Sequence, residues 1–264
     1  MTKERKTLMD EVVTERLGNS DGPADKSLGQ KVEKIRTRQK SYVMDLRIHS
    51  PASLGYLGIE GIDTAPALVR LARVKGLDMI ALTDYFSGAF IDRVREAAKD
   101  SSVVVIPGFV IRCSLPSCDD VILSCLFPEN FGTREVEAVL ESLGIPRSAF
   151  GDRKHLVKLP FEDILNVVES KGGVVLPSRM DKTPYRLSVL AELVDKYGFR
   201  AFDLAYADSV KFFKTRWPKM KFHLFSFSNA NALAQVGSRI ARLKMQDPGF
   251  AGIKAVIARQ GLRV

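Results

Sequence analysis

The 264-residue sequence has little cysteine and no long hydrophobic run. Three cysteines are too few for a disulfide framework and favour a reducing compartment, so a cytoplasmic location is expected. No segment approaches the roughly 18 consecutive apolar residues of a membrane span, so no membrane partner is expected. The first residues, MTKERKTLMDEVVTERLG, are charged throughout and lack an apolar stretch, so a secretory signal is not expected either. Internal repeats and low-complexity tracts are also missing.

Positive charge is in excess. The sequence contains 40 Lys and Arg against 31 Asp and Glu, which gives a formal net charge of +9 and a pI of about 9.5. Such an excess favours anionic partners, namely nucleic acid, phosphorylated ligands or acidic proteins, but it does not choose among them.

Two regions differ in composition. Residues 1–40 carry many charges and a turn-rich patch at 18–23, and we predict a charged N-terminal arm that is flexible or ordered by a partner. Residues 41–264 have ordinary globular composition and are predicted to form one domain.

The domain shows alternating strand and helix patterns. Strands are predicted over 42–49, 78–83, 103–106, 121–127, 173–177, 201–205 and 222–227. Helices are predicted over 64–75, 91–99, 134–143, 161–170 and 185–197, followed by a strand at 239–245 and a helix at 250–260. This alternation of short apolar strands with helices predicts an α/β fold with a parallel sheet that closes into a barrel. In such barrels the functional groups follow the carboxyl ends of the strands.

Five segments at these strand ends resemble the motifs of the PHP (polymerase and histidinol phosphatase) family. They are MDLRIHSPAS, GLDMIALTDY, VVIPGFVI, VVLPSRMD and FSFSNANAL. The resemblance covers about residues 42–264 and implies a distorted seven-stranded, TIM-like barrel. It also implies a cluster of two or three zinc, manganese or iron ions that activates water for phosphoester hydrolysis.

The sequence departs from those motifs at most of the positions where the resemblance implies metal ligands. These positions hold Arg47, Leu54, Tyr85, Val110, Ile122, Arg179, Asn229 and Asn231. Only His49 and Asp84 remain, as vestiges of the motif. Arginine stays protonated and offers no lone pair, and hydrocarbon side chains offer no ligand at all.

We therefore expect no metal, no cofactor and no catalytic residue. The sequence predicts a pseudoenzyme that acts as a binding or scaffolding domain, with an unknown protein partner or as part of a larger assembly. One alternative is a metal-dependent phosphoesterase that works with a reduced metal set. Another is a nucleic-acid-binding module that uses basic segments.

Five of the substituted positions and the retained His49 are expected to converge on one mouth of the barrel. The residues concerned are Arg47, His49, Tyr85, Arg179, Asn229 and Asn231. Because guanidinium groups match phosphate oxygens in pairs, one interpretation is an anion-binding pocket. In the other interpretation, Arg47 and Arg179 pair with Asp84, Asp181 or Glu60 and fill an inactive pocket. The sequence leaves both open.

A basic segment over Lys211–Lys221 (KFFKTRWPKMK) mixes cations with aromatic residues. It supplies the candidate nucleic-acid contacts Lys211, Lys214, Arg216, Trp217, Lys219 and Lys221. In the alternative interpretation its aromatic side chains pack on the domain and leave a solvated basic surface. The C-x₄-C pair Cys113 and Cys118 lacks nearby further zinc ligands, which favours structural thiols.

Overall fold

The fold is built on a curled, mixed sheet flanked by helices. A computed structural model describes residues 39–260, so nearly all of the predicted arm over 1–40 lies outside the described residues. Among the described helices, none is long and apolar enough to cross a membrane.

The strands and helices alternate along most of the chain. The strands are β1 (Lys40–Ile48), β2 (Met79–Tyr85), β3 (Val104–Leu115), β4 (Cys118–Leu126), β5 (Val174–Pro177), β6 (Ala201–Asp203), β7 (His223–Phe225) and β8 (Ala241–Met245). The helices are α1 (Thr64–Val74), α2 (Ile91–Ala98), α3 (Thr133–Ser142), α4 (Phe161–Ser170), α5 (Pro184–Leu187), α6 (Leu190–Asp195), α7 (Ser209–Arg216) and α8 (Phe250–Ile257).

Six strands form the main sheet in the order β5-β4-β3-β2-β1-β8, and β6 and β7 form a separate parallel pair. Single bridges join the ends of this pair to the main sheet. Ser178, just after β5, pairs with Asp203, and Ala230, beyond β7, pairs with Ile48. The α/β architecture expected from the sequence is confirmed, but a seven-stranded barrel is not, because the main sheet of the described chain is a six-stranded half-barrel.

Within the main sheet of the described chain, the predicted parallel arrangement is confirmed only for β1, β2 and β3, which pair in parallel. β4 runs antiparallel to both β3 and β5, and β8 runs antiparallel to β1. Only Pro116 and Ser117 separate β3 from β4, a connection that fits a hairpin and is too short for a crossover. The strand expected to end at Ile106 also continues through Pro107 and Gly108, since the Pro107 carbonyl still accepts a hydrogen bond from Phe127 N at 2.9 Å.

The sheet buries apolar side chains on both faces. In β2, Met79 and Ala81 belong to one hydrophobic cluster and Ile80 and Leu82 to another, because successive strand residues point to opposite faces. This double burial fixes the register of the strands, and with it the side chains that follow their carboxyl ends.

The helix predicted over 185–197 is broken into α5 and α6. Ser188 lies between them, and its Oγ donates to the Tyr185 carbonyl oxygen at 2.7 Å. A serine hydroxyl bonded to the backbone in this way competes with regular helix geometry. The break leaves α5 as a short element that carries Arg186.

Candidate functional site

A cavity of about 450 Å³ opens beside the carboxyl ends of β1 and β2. It is lined by Arg47, Tyr85, Arg112, Ile122, Arg153, Lys154, Arg179, Lys182, Arg186 and Asn229. Seven of these residues are arginine or lysine, and within the described chain no carboxylate side chain lines the cavity. The structure therefore brings together four of the residues expected at the mouth, namely Arg47, Tyr85, Arg179 and Asn229.

Arg47 is the deepest cation of the cavity and is only 1% exposed. Its Nε donates to Asn229 Oδ1 at 2.7 Å, and its Nη1 lies 3.3 Å from Asp203 Oδ2. Burial raises the pKa of the Asp203 carboxyl, while the charge of Arg47 opposes that rise. The acidic partner of Arg47 is thus Asp203, and not Asp84, Asp181 or Glu60 as in the second interpretation of the sequence.

Arg179 follows β5 and is half-buried. Its backbone N–H donates to the Asp203 carbonyl oxygen at 2.6 Å. Within residues 39–260 its guanidinium forms no ion pair with a carboxylate. Burial lowers the pKa of Arg179, and the nearby positive charge of Arg47 lowers it further. Arg47 and Arg179 therefore line the same cavity, and the charge of each lowers the pKa of Asp203 against the effect of burial.

Backbone strain concentrates at this cavity. Among the described residues, three that are not glycine have a left-handed φ: Phe86 at 49°, Arg179 at 57° and Asn229 at 52°. Arg179 and Asn229 line the cavity, and Phe86 directly follows Tyr85, which also lines it. Residues held in this sparsely populated region cluster at functional sites, so the strain marks the cavity as the candidate site.

His49 lies behind Tyr85 and does not line the cavity. The two rings stack with centroids 5.0 Å apart and planes 7° from parallel. Among the described residues neither ring nitrogen of His49 has a hydrogen-bond partner. Burial lowers the pKa of His49 to about 3, and the charge of Arg47 acts in the same direction, so the imidazole is neutral at physiological pH.

Asp84 is fully engaged by the residues that follow β1. It accepts hydrogen bonds from Ser50 N at 2.6 Å, Ser50 Oγ at 2.5 Å and Ser53 Oγ at 2.6 Å. Burial raises the pKa of this carboxyl, against the effect of those hydrogen bonds. Asp84 thus fastens the β1–α1 loop to β2.

The side chains present do not fit the metal cluster that the motifs imply. Arg47 and Arg179 bring positive charge to the site, and the amide oxygen of Asn229 is already bonded to Arg47. In the described part of the chain, no three His, Cys, Asp or Glu side chains are grouped so that they could hold a metal ion. Cys113 and Cys118 are buried free thiols, and burial raises the pKa of each.

Sequence reasoning missed five cations of the cavity: Arg112, Arg153, Lys154, Lys182 and Arg186. Arg112 lies in the part of β3 beyond its predicted end, and Arg186 lies on the broken helix. Arg153 and Lys154 lie in the run DRKH, and Lys182 lies in the run RMDK. Nothing in either run indicates that these charges reach the site.

Two of these cations share a single acidic partner. Arg112 Nη2 and Arg186 Nη2 lie 2.7 Å and 2.6 Å from the two carboxylate oxygens of Asp120. By contrast, Arg153, Lys154 and Lys182 make no ion pair with a carboxylate among residues 39–260. They form an exposed basic rim around the deeper arginines.

Asn231 does not join the other residues expected at the mouth. Its backbone N–H donates to Gln235 Oε1 at 2.9 Å, and its carbonyl accepts from Leu57 N at 2.8 Å. It therefore holds the β1–α1 loop in place and lies outside the cavity lining.

The aromatic residues of the basic segment pack inward. Phe213 and Trp217 are buried, with ring centroids 5.9 Å apart, and Phe213 lies 5.2 Å from Phe222. Trp217 Nε1 also donates to Asp195 Oδ1 at 3.1 Å. This packing supports the interpretation of a solvated basic surface over packed aromatics. Nucleic-acid binding by the segment remains a prediction.

Solved structures share the fold at low sequence identity. The endonuclease EndoQ from Pyrococcus furiosus, described as lesion-specific, matches with a TM-score of 0.58 and 18% identity over 82% of this chain. An amidohydrolase from Chromobacterium violaceum, with bound sulfate and no metal, gives a TM-score of 0.56 and 14% identity over 82% of this chain. A Bifidobacterium adolescentis protein assigned as a metal-dependent phosphoesterase gives a TM-score of 0.51 and 13% identity over 81% of this chain.

The chain has a PHP-like fold. This confirms the resemblance drawn from the five sequence segments. The match spans 56% of the length of EndoQ, but 97% of the amidohydrolase and 94% of the phosphoesterase. No protein-family model matches the sequence, and no curated protein does either. These structures thus establish a PHP-like fold, and the chemistry of the cavity is specific to this chain.

Proposed function

We propose that this PHP-like domain is a non-catalytic binding domain whose cationic cavity takes an anionic, phosphate-bearing ligand. The observation that carries the proposal is the lining of the cavity, where seven arginine and lysine residues meet without a lining carboxylate. It serves as a binding or scaffolding domain for a partner or a larger assembly.

The two deeper arginines supply the recognition. Arg47 is held by Asn229 and Asp203, so its guanidinium needs little reorganisation when a ligand arrives. Arg179 faces the same space without an acidic partner in the described chain. Charge-assisted hydrogen bonds from arginine to phosphate are strong and directional, and partial burial strengthens them further. An anion between the two groups would also relieve their mutual repulsion.

The same residues argue against hydrolysis. No metal-ligand set is present among the described residues to activate water. His49 is neutral but buried behind Tyr85, and Asp84 is bonded to Ser50 and Ser53. A general base has to reach the proton it removes, directly or through one water, and neither group lines the cavity.

A titration of the full chain with inorganic phosphate, in buffer containing EDTA, tests the proposal. The wild-type protein is expected to bind phosphate, and Arg179→Gln to bind at least about tenfold more weakly, since a charge-assisted hydrogen bond contributes about 1.5–3 kcal/mol. Lys171→Gln removes the same charge at an exposed position outside the cavity and the basic segment, and serves as the matched control.

Two results would contradict the proposal. One is phosphate affinity that is absent, or equal in wild type and Arg179→Gln. The other is turnover of a phosphomonoester or phosphodiester that manganese stimulates and EDTA abolishes, which would favour a phosphoesterase with a reduced metal set.

A further inference from the structure

We infer that the ligand of the cavity is a compact oligophosphate, a small molecule that carries at least two phosphate groups close together. This inference rests on the proposed function and goes further by naming the ligand class. It comes from a comparison between the positive charge of the cavity and the charge of a single phosphate.

The cavity has more positive charge than one phosphate can balance. Of its seven cations, Arg47 is paired with Asp203, while Arg112 and Arg186 share Asp120. Seven cations less these two carboxylates leave five positive charges. A phosphomonoester carries only about 1.5 to 2 negative charges at neutral pH.

Two further carboxylates, each next in sequence to a rim cation, do not change this conclusion. Asp181 accepts hydrogen bonds from Ala205 N, Tyr206 N and Ser209 Oγ, and Asp152 accepts one from Lys154 N. Neither forms an ion pair with a cavity cation among the described residues. Even if both carboxylates are counted against the cavity, three positive charges remain, which still exceeds the charge of one phosphate.

The cations occupy two depths of the cavity. This arrangement suits a ligand whose adjacent phosphates extend from the deep end to the rim. Arg47 is buried and Arg179 is half-buried, whereas Arg153, Lys154 and Lys182 are exposed at the rim. A volume of about 450 Å³ is typical of small-molecule sites. One phosphate of the ligand would contact the two deep guanidinium groups, and the following phosphate or phosphates would contact the rim.

The test is a calorimetric titration series of the full chain at fixed ionic strength with EDTA present. The probes are inorganic phosphate, pyrophosphate, tripolyphosphate and a short single-stranded oligonucleotide. We expect the affinity to rise at least about tenfold from phosphate to pyrophosphate, and to rise again for tripolyphosphate, because each added phosphate gains charge-assisted contacts.

Rim variants separate this effect from general attraction to a basic protein. Lys182→Gln is expected to weaken tripolyphosphate binding about tenfold, while phosphate binding changes less than about threefold. Lys171→Gln, the matched control at an exposed lysine outside the cavity and the basic segment, is expected to change neither affinity.

The outcomes separate the inference from the proposed function. If the three inorganic probes bind equally well, or if Lys182→Gln weakens all of them equally, the inference is wrong and anion binding stands. If none of them binds, the proposed function itself fails. If the oligonucleotide binds more tightly than tripolyphosphate and Arg179→Gln abolishes that binding, the ligand is a nucleic-acid strand and the compact oligophosphate is excluded.

Discussion

At the scale of single residues, the buried ion pair between Arg47 and Asp203 is the feature that separates this site from a metal centre. Both side chains are almost fully excluded from solvent. Such a pair adds little net stability compared with apolar residues of the same volume, but the loss of one partner leaves an uncompensated buried charge. We therefore infer that the pair mainly fixes the direction of the Arg47 guanidinium.

The substitution Asp203→Asn tests that role. It is expected to lower the free energy of unfolding by about 3 kcal/mol or more, because Arg47 then stays buried without its counter-charge. Urea denaturation measures the change. Glu96→Gln, which breaks the exposed pair with Lys99, is the control and is expected to cost less than about 1 kcal/mol. Equal losses in the two variants would contradict a structural role for the buried pair.

The buried imidazole of His49 gives a pH dependence with a defined sign. Its pKa in the folded protein is about 3, against an ordinary value of 6.5. Above pH 6.5 the imidazole is neutral in both states. Between pH 6.5 and pH 3, His49 is protonated in the unfolded chain and neutral in the folded protein. The free energy of unfolding therefore falls as the pH falls through this window.

The variant His49→Phe keeps an aromatic ring against Tyr85 and removes the titration. Between pH 6.5 and 3 the difference in unfolding free energy between wild type and variant is expected to shift in favour of the variant, by up to about 4 kcal/mol. Chemical denaturation across this range measures it, and the carboxylates common to both proteins cancel in the difference. Parallel pH profiles would show that His49 titrates normally.

At the scale of secondary-structure elements, the hairpin of β3 and β4 shapes the cavity wall. It carries Arg112 on β3 and Ile122 on β4, and both line the cavity. The hairpin depends on Gly108, where an added Cβ would lie 2.5 Å from the Cys125 carbonyl oxygen and 3.3 Å from that of Leu82. Both of these atoms belong to backbone of neighbouring strands and cannot move independently.

Gly108→Ala is consequently expected to destabilise the protein by about 1–3 kcal/mol through overpacking. Gly58→Ala is the matched control, since an added Cβ there meets nothing within 4 Å, and its stability is expected to be unchanged or raised by up to about 1 kcal/mol. Thermal or urea unfolding compares the two. A neutral Gly108→Ala would mean that the strands separate more easily than the packing indicates.

The sequence predicted most elements because their signals are local. Asp63, for example, caps α1 by accepting a hydrogen bond from Ala65 N at 3.2 Å, and Gly76 ends that segment with a φ of 68°. The continuation of β3 through Pro107 and Gly108 was missed, since only the neighbouring strands show why a Pro-Gly pair fits there. The same limit applies to the site. Arg47 and Arg179 lie within recognisable motifs. Arg153 and Lys182 show no such signal, because only the folded chain brings them to the cavity.

At the scale of the whole molecule, a PHP-like fold is combined with a positively charged site. The fold places strand ends and loops around one cavity, and in this chain those positions supply cations where the motifs imply metal ligands. The net charge of +9 adds a long-range attraction for anions, which depends on ionic strength.

This combination predicts that the protein holds no stoichiometric metal ion and needs none for its stability. Untagged protein purified without chelator is expected to hold clearly substoichiometric zinc, manganese and iron by mass spectrometry, and EDTA is expected to leave its melting temperature unchanged. A resident metal would stabilise the folded state by mass action, so its removal would lower the melting temperature. One or more equivalents of metal, together with such a drop, would contradict the expectation.

The most direct single measurement is a crystal structure of the protein grown with both manganese and pyrophosphate, with anomalous data collected at the manganese absorption edge. We expect pyrophosphate in the cavity, in contact with Arg47 and Arg179, and no anomalous peak near His49 and Asp84. A manganese ion bound by those two residues, or pyrophosphate bound only outside the cavity, would overturn the assignment of this site as a metal-free anion-binding cavity.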